Sequence, residues 1–248
     1  MTTRYADLLM DTVSRLAEAE GPDQTWEAAA FVANKIGARA LTCGAVMRDS
    51  RNVAWVRSSM NSGFLEIFSE AKLYEVDPIQ AGAIAGRVAR TIDVAAALRS
   101  EEDPRARDLY ALALEHGFRH YLNHTWVEDT SEQTFALACD GDPSELFGRG
   151  TARAFGAISA VLSMAMRAPG VVYLEDRAFD APWSRLSNPE RDVLCYLGQG
   201  LDREQIADRL LRPLSEVNLL LSAACQRLGT QRPEQALSLL LVRGGLCL

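Results

Sequence analysis

The chain lacks an excess of positive charge, a cysteine pattern and a long apolar run. Its 26 basic and 33 acidic residues leave a net charge of −7. Residues 1–180 carry −8 and residues 181–248 only +1. No segment therefore has the strong basic excess by which phosphate neutralisation usually drives nucleic-acid binding. The five cysteines, Cys43, Cys139, Cys195, Cys225 and Cys247, are scattered and never closely paired. That pattern argues against a disulfide scaffold, offers no metal-ligand spacing and fits a reducing cytoplasm. The longest apolar candidate, residues 157–165, is about half of what a membrane span needs. The N-terminus lacks the basic-then-apolar signature of a secretory signal. A cytoplasmic protein without membrane contact is expected.

Chemistry-bearing residues are also sparse. The only histidines are His116, His120 and His124. On a helix their spacing of four would stack them on one face. Gly117 and the β-rich run at 121–127 break such a helix, so a zinc site is not expected. The chain has no nucleophile elbow, phosphate loop or HExxH motif. No enzyme activity, metal or cofactor is expected.

What is present is a core. Hydrophobic residues make up 48% of the chain and charged residues 24%, as in ordinary globular proteins. Leu8, Leu9, Val13 and Leu16 recur at helical spacing, predicting a helix over 4–19 that ends at Gly21-Pro22. A second helix is expected over 25–36. Residues 40–48 and 53–59 read as a hairpin around a turn at 49–52. A helix is expected over 64–72, and residues 79–90 read as helix or loop. A convincing helix covers 100–116, followed by strands at 119–127 and 132–139 and a long Ala-rich helix at 147–167. The order predicts an α/β fold: an antiparallel sheet with helices packed on its faces. Residues 171–185 read as a linker between a domain at 1–170 and another at 186–248.

The final segment predicts four helices, at 187–197, 202–210, 214–228 and 233–243. Ser187 and Glu190 have the spacing of a reciprocal helix cap, and Asp202 caps the next helix. Val193, Leu194, Leu197, Ile206, Ala207, Leu210, Val217, Leu220, Leu221, Ala224 and Leu228 supply apolar faces. This is helix-turn-helix architecture with a supporting helix.

In Leu186, Glu190, Leu194, Gly200, Ile206-Ala207, Leu210, Val217, Arg227-Leu228-Gly229 and Ala236 the segment resembles the DNA-binding domain of LuxR-type quorum-sensing regulators. The resemblance implies a transcription regulator whose duplex contacts fall at Arg212, Ser215, Glu216, Asn218, Arg227 and Arg232. Several positions depart from the family. Glu216 stands where Thr is usual, Asn218 where a basic residue is usual, and Leu220 where His is usual. Leu211 follows the second helix in place of Gly or Asn. Asn and Ser can read base edges, whereas a carboxylate facing phosphates opposes docking.

The resemblance continues upstream. The family's sensing domain carries Trp, three residues, Tyr, eight residues, then Asp-Pro. Phe64, Phe68 and Asp77-Pro78 stand at that spacing. The resemblance implies a pocket for an acyl-homoserine lactone, with Asp77 accepting an amide N–H. Phe64, Phe68, Met60, Trp55, Tyr74 and Tyr121 are the further candidate lining residues. Here too there are departures: Phe64 replaces the lactone-binding Trp, Met60 a Tyr, Ile92 a Trp, Tyr121 a Gly, and Ala136 a hydroxyl-bearing residue. Either another small apolar ligand is bound, or the cavity is filled and the domain needs none. For partners, the resemblance implies double-stranded DNA and a homodimer or a heterodimer with a related regulator. The alternative is a regulator that no longer binds DNA and acts through such protein contacts.

Overall fold

In the computed structural model the described residues are 2–86, 88–143, 150–169, 178–179 and 186–244. The expected linker and the start of the expected long helix lie almost wholly outside them.

The N-terminal part is built on one five-stranded sheet of β1 (Ala38–Met47), β2 (Val53–Ser58), β3 (Ala89–Asp93), β4 (His120–Val127) and β5 (Ser131–Cys139). The strand order is β2-β1-β5-β4-β3, antiparallel throughout. Both expected hairpins are present, and β1 pairs with β5 to join them. The register runs from Ala40 opposite Ala138 to Met47 opposite Ser131.

β3 corrects the reading of residues 79–90. Pro78 starts a short helix, α4 (Pro78–Ile84), and the chain then turns at Gly86 into an edge strand. The strand is short and mostly exposed, so it lacks the apolar alternation that marks a half-buried strand. The expected helix at 100–116 is also divided. α5 (Val94–Ser100) is capped by Asp93, and α6 (Pro104–Glu115) begins afresh with Asp103 as N-cap and Pro104 in its first turn.

Helices cover both sheet faces. On one lie α1 (Thr2–Glu18), α2 (Pro22–Lys35) and α7 (Thr151–Ala165). A Cβ at Gly156 would lie 3.3 Å from the His124 ring, so the glycine lets α7 pack close to β4, and Trp126 Nε1 donates to Ser159 Oγ at 2.8 Å. The second face carries α3 (Ser62–Glu70), a 3₁₀ turn at Leu73–Glu75, and α4, α5 and α6. The result is a helix–sheet–helix sandwich.

The C-terminal part is all-α: α8 (Asn188–Gly198), α9 (Arg203–Leu210), α10 (Leu214–Leu228) and α11 (Pro233–Arg243). Val193, Leu194, Ile206, Val217, Leu221, Ala224, Leu228, Ala236, Leu239 and Leu240 form its buried core. Both expected N-terminal caps are made: Ser187 with Glu190, and Asp202 with Gln205. Helices α9 and α10 form the helix-turn-helix. Leu211 occupies the left-handed position at the end of α9, with φ 53° and ψ 44°, where a residue without Cβ is normally preferred.

The three histidines share no helix. His116 ends α6, while His120 and His124 belong to β4. Among the described residues, no group of three His, Cys, Asp or Glu gathers as metal ligands. No described helix is long and apolar enough to cross a membrane.

Candidate functional site

Between the sheet and the α3–α4 layer lies a cavity of about 80 Å³. Alternation along the strands sends Thr42, Gly44 and Val46 of β1, Thr134, Ala136 and Ala138 of β5, and Tyr121 of β4 to this face. Small residues at 44, 136 and 138 create the space. Gly44 has a second cause, since a Cβ there would lie 2.8 Å from the Trp55 carbonyl oxygen. Met60, Phe64, Asp77, Ile79, Gln80, Ala83 and Phe179 form the opposite wall.

Four of the expected ligand residues, Met60, Phe64, Asp77 and Tyr121, meet at this cavity. The other three are placed differently. Phe68 is buried between the Phe64 ring, at 5.7 Å, and that of Phe179, at 4.9 Å. Trp55 is 1% exposed in the core, beside the lining residue Val56 in β2, and alternation turns it to the other face. Tyr74 packs near Phe68 and borders a separate groove toward the C-terminal helices. Sequence reading missed Ile79, Gln80, Ala83 and Phe179. The first three follow from a helix starting at Pro78, because positions 79, 80 and 83 share one helical face.

Asp77 joins two roles. It is the N-cap of α4, its Oδ1 accepting from the Ile79 backbone N–H at 2.8 Å. Its carboxyl is also enclosed by the cavity wall, although the residue as a whole is only half-buried. Burial raises its pKa to about 6, against the opposing pull of the Ile79 and Gln80 N–H groups and the Arg90 cation. Burial also raises the Tyr121 hydroxyl, helped by the Asp77 charge and then by Tyr110. The hydroxyls of Thr42 and Thr134 are occupied, bonding Ser58 and Thr125 at 2.8 Å each. The site can therefore enclose a small, largely apolar molecule and hydrogen-bond its polar end.

The second candidate site is the front of α10. Ser215, Glu216 and Asn218 lie in its first turns. Arg212 is bonded to Glu216 one turn on. Arg203 Nη1 donates to Asn218 Oδ1 at 2.9 Å. Arg227, at the far end of α10, donates from Nε to the buried Glu190 at 2.9 Å. Burial alone would raise the Glu190 carboxyl, but hydrogen bonds from the Ser187 backbone and hydroxyl and the Arg227 cation hold it below its usual value. Arg232 is the N-cap residue of α11. Leu211 and Leu219 stand 93% and 69% exposed beside these charges. Of the six expected DNA contacts, Arg212 and Glu216 are thus paired to each other, and Arg227 and Asn218 are engaged within the domain.

Residues 21–122 match the autoinducer binding domain family. No curated protein matches the chain. Among solved structures, the chain is similar to CepR2 from Burkholderia cenocepacia, described as an N-acylhomoserine lactone dependent LuxR family transcription factor. The identity is 16% and the TM-score 0.51, over 66% of this chain and 93% of that one. SdiA from Escherichia coli aligns at 12% identity and TM-score 0.49, over 100% of this chain and 99% of its own. SdiA in complex with octanoyl-rac-glycerol aligns at 10% and 0.49, over 96% and 95%.

Proposed function

We propose that the chain is a LuxR-type transcription regulator whose α/β domain, within residues 1–170, senses a small ligand. The helix-turn-helix domain at 186–248 carries the response. The observation that carries this reading is the largely apolar cavity with Asp77 in its wall, most of whose lining lies within the segment that matches the autoinducer binding domain. CepR2 is described as dependent on an N-acylhomoserine lactone. In this chain an acyl-homoserine lactone or another small apolar molecule would place its amide or hydroxyl against Asp77. A cavity of 80 Å³ is about half the volume that encloses a benzene ring in an engineered core. A long acyl chain would need Met60 or Phe179 to move.

Double-stranded DNA is the proposed target of α10, with Ser215 and Asn218 toward base edges and Arg212 and Arg232 toward phosphates. A dimer is the proposed active form. Met10 and Met164, 65% and 76% exposed on the packed helices α1 and α7, supply apolar surface for it.

The internal pairing of Arg212 with Glu216 and Arg203 with Asn218 supports a second reading. In it the domain acts through protein contacts, such as heterodimerisation with a related regulator. One titration separates the two. The purified full chain is titrated against its own upstream duplex and random duplex at low salt. A specific shift supports the DNA reading, and no shift at micromolar protein would sink it.

A further inference from the structure

Gln80 carries a polar atom that meets no hydrogen-bond partner among the described residues. Its Nε2 donates to the Phe179 carbonyl at 3.4 Å, which fixes the amide orientation. Its Oε1 is sealed from solvent and accepts no hydrogen bond among the described residues. The residue lines the cavity. An unmet buried acceptor costs about 1–3 kcal/mol, so this placement is favourable only when something in the cavity donates to it. Three residues earlier in the chain is Asp77, with Oδ1 on the Ile79 N–H and further acceptor capacity on the carboxyl. Tyr121 is the remaining polar residue of the lining, and the hydroxyls of Thr42 and Thr134 are bonded to neighbours. The rest of the lining is aliphatic or aromatic.

We propose that Gln80 is a specificity-determining residue. The ligand it selects is a short neutral amphiphile whose head carries two hydrogen-bond donors, one for the Asp77 carboxyl and one for Gln80 Oε1. The inference rests on reading the cavity as a sensing site. A neutral body suits the lining, which away from Asp77, Gln80 and Tyr121 is mostly apolar, with Val46, Val53, Val56 and Phe64 among it. A short body follows from the volume.

The test is a binding titration of the full chain with three probes, followed by NMR: pentane-1,2-diol, pentan-1-ol and 1-methoxypentane. They share one apolar chain and carry two, one and no donors. Transfer from water by hydrophobicity alone favours the ether and alcohol over the diol. The proposal expects the reverse order, with the diol about tenfold tighter than the alcohol, as one satisfied buried acceptor provides. Gln80→Met keeps the side-chain length and removes the acceptor. It should abolish the preference for diol over alcohol.

An ordered water on Oε1 would let alcohol and diol bind alike, and that result overturns the proposal. So does a diol preference that survives in Gln80→Met. Should that variant fail to fold, the wild-type order decides alone. If the wild type binds the probes in hydrophobic order, and the cavity-filling Ala136→Phe abolishes binding, the sensing reading stands and the Gln80 inference falls. If the wild type binds none of them, both fall.

Discussion

Asn52 donates from Nδ2 to the backbone carbonyl of Leu228 at 2.7 Å, across 176 positions of sequence. The same group reaches the Gly229 carbonyl at 3.3 Å. Its neighbour Arg51 turns the other way, donating to the Ala83 and Ile84 carbonyls at 2.8 and 2.6 Å and to both oxygens of Glu132. Carbonyls at helix C-termini have no intrahelical partner. One hairpin turn therefore satisfies the ends of two helices: α4, which walls the cavity, and α10, the second helix of the helix-turn-helix.

Asn52→Ala removes the contact with α10 and leaves the turn intact. The expected loss is about 1 kcal/mol in the seating of the C-terminal domain. Hydrogen exchange should rise at Gly229 and Thr230 while the β1–β5 ladder stays protected. Unchanged exchange at 229–230 would show that Asn52 does not hold this end of the helix.

Arg51 carries more. Glu132 has a side chain only 11% exposed, and Arg51→Met leaves that buried carboxylate without its cation and takes the guanidinium from the Ile84 carbonyl, while Ala83 keeps the Gly86 N–H. Partial exposure of Arg51 discounts the cost of a fully buried pair, leaving about 2–3 kcal/mol by denaturant unfolding. The double variant Arg51→Met/Glu132→Met should recover part of that loss. No recovery would place the cost on the α4 carbonyls alone.

Much of the architecture was legible because it rests on local signals. Both hairpins alternate apolar residues around polar turns, and all four C-terminal helices carry caps or breakers near their ends. β3 was not legible, because an exposed edge strand has little to bury. The cavity was half legible. Asp77 and Phe64 could be found from spacing, whereas Trp55 and Tyr74 are aromatic residues whose direction depends on strand alternation and helix packing. The pairing of Arg212 with Glu216 was hidden for another reason. Taken alone, Arg212 suits a place near phosphate and Glu216 opposes one, and only their separation of four residues brings the two together. Asn52 has no sequence signal at all, since its partner is a backbone carbonyl in the other half of the chain.

Asp77 should make the protein more stable in mild acid. Its folded pKa, about 6, lies above the ordinary value of 3.8. The folded state then binds more protons between about pH 4 and 6, and stability falls as pH rises across that window. The full effect at pH 7 is up to about 2–3 kcal/mol. Asp77→Asn keeps an N-cap and removes the charge. Its Tm at pH 7.5 should exceed that of the wild type, and its Tm–pH profile between 4 and 6 should be flatter. An equal slope in both proteins would exclude Asp77 as the titrating group.

Leu211→Gly should stabilise the C-terminal domain. Leu211 is left-handed and 93% exposed, so the change removes Cβ strain and forfeits almost no buried surface. The strain is about 1–2 kcal/mol, partly offset by the roughly 0.4–1 kcal/mol of extra chain entropy that Gly brings to the unfolded state. A net gain of about 0.5–1 kcal/mol is expected in urea unfolding. A loss would show that the Leu211 side chain has a stabilising contact in solution.

Glu216→Gln tests the electrostatics of α10. The carboxylate now holds Arg212, one turn away. Removing its charge should free one cation for phosphate and end the repulsion between Glu216 and the duplex. Fluorescence anisotropy with random duplex at several salt concentrations should then give tighter binding. The slope of log K against log salt should steepen by about one, the signature of one more phosphate neutralised. Adding Asn218→Lys should steepen it by about one more. The parallel variant Arg203→Gln should leave the Glu216→Gln slope unchanged if Arg203 is occupied by Asn218 in the complex. Unchanged slopes in both the single and the double variants would mean that α10 does not face the duplex, and would favour the protein-contact reading.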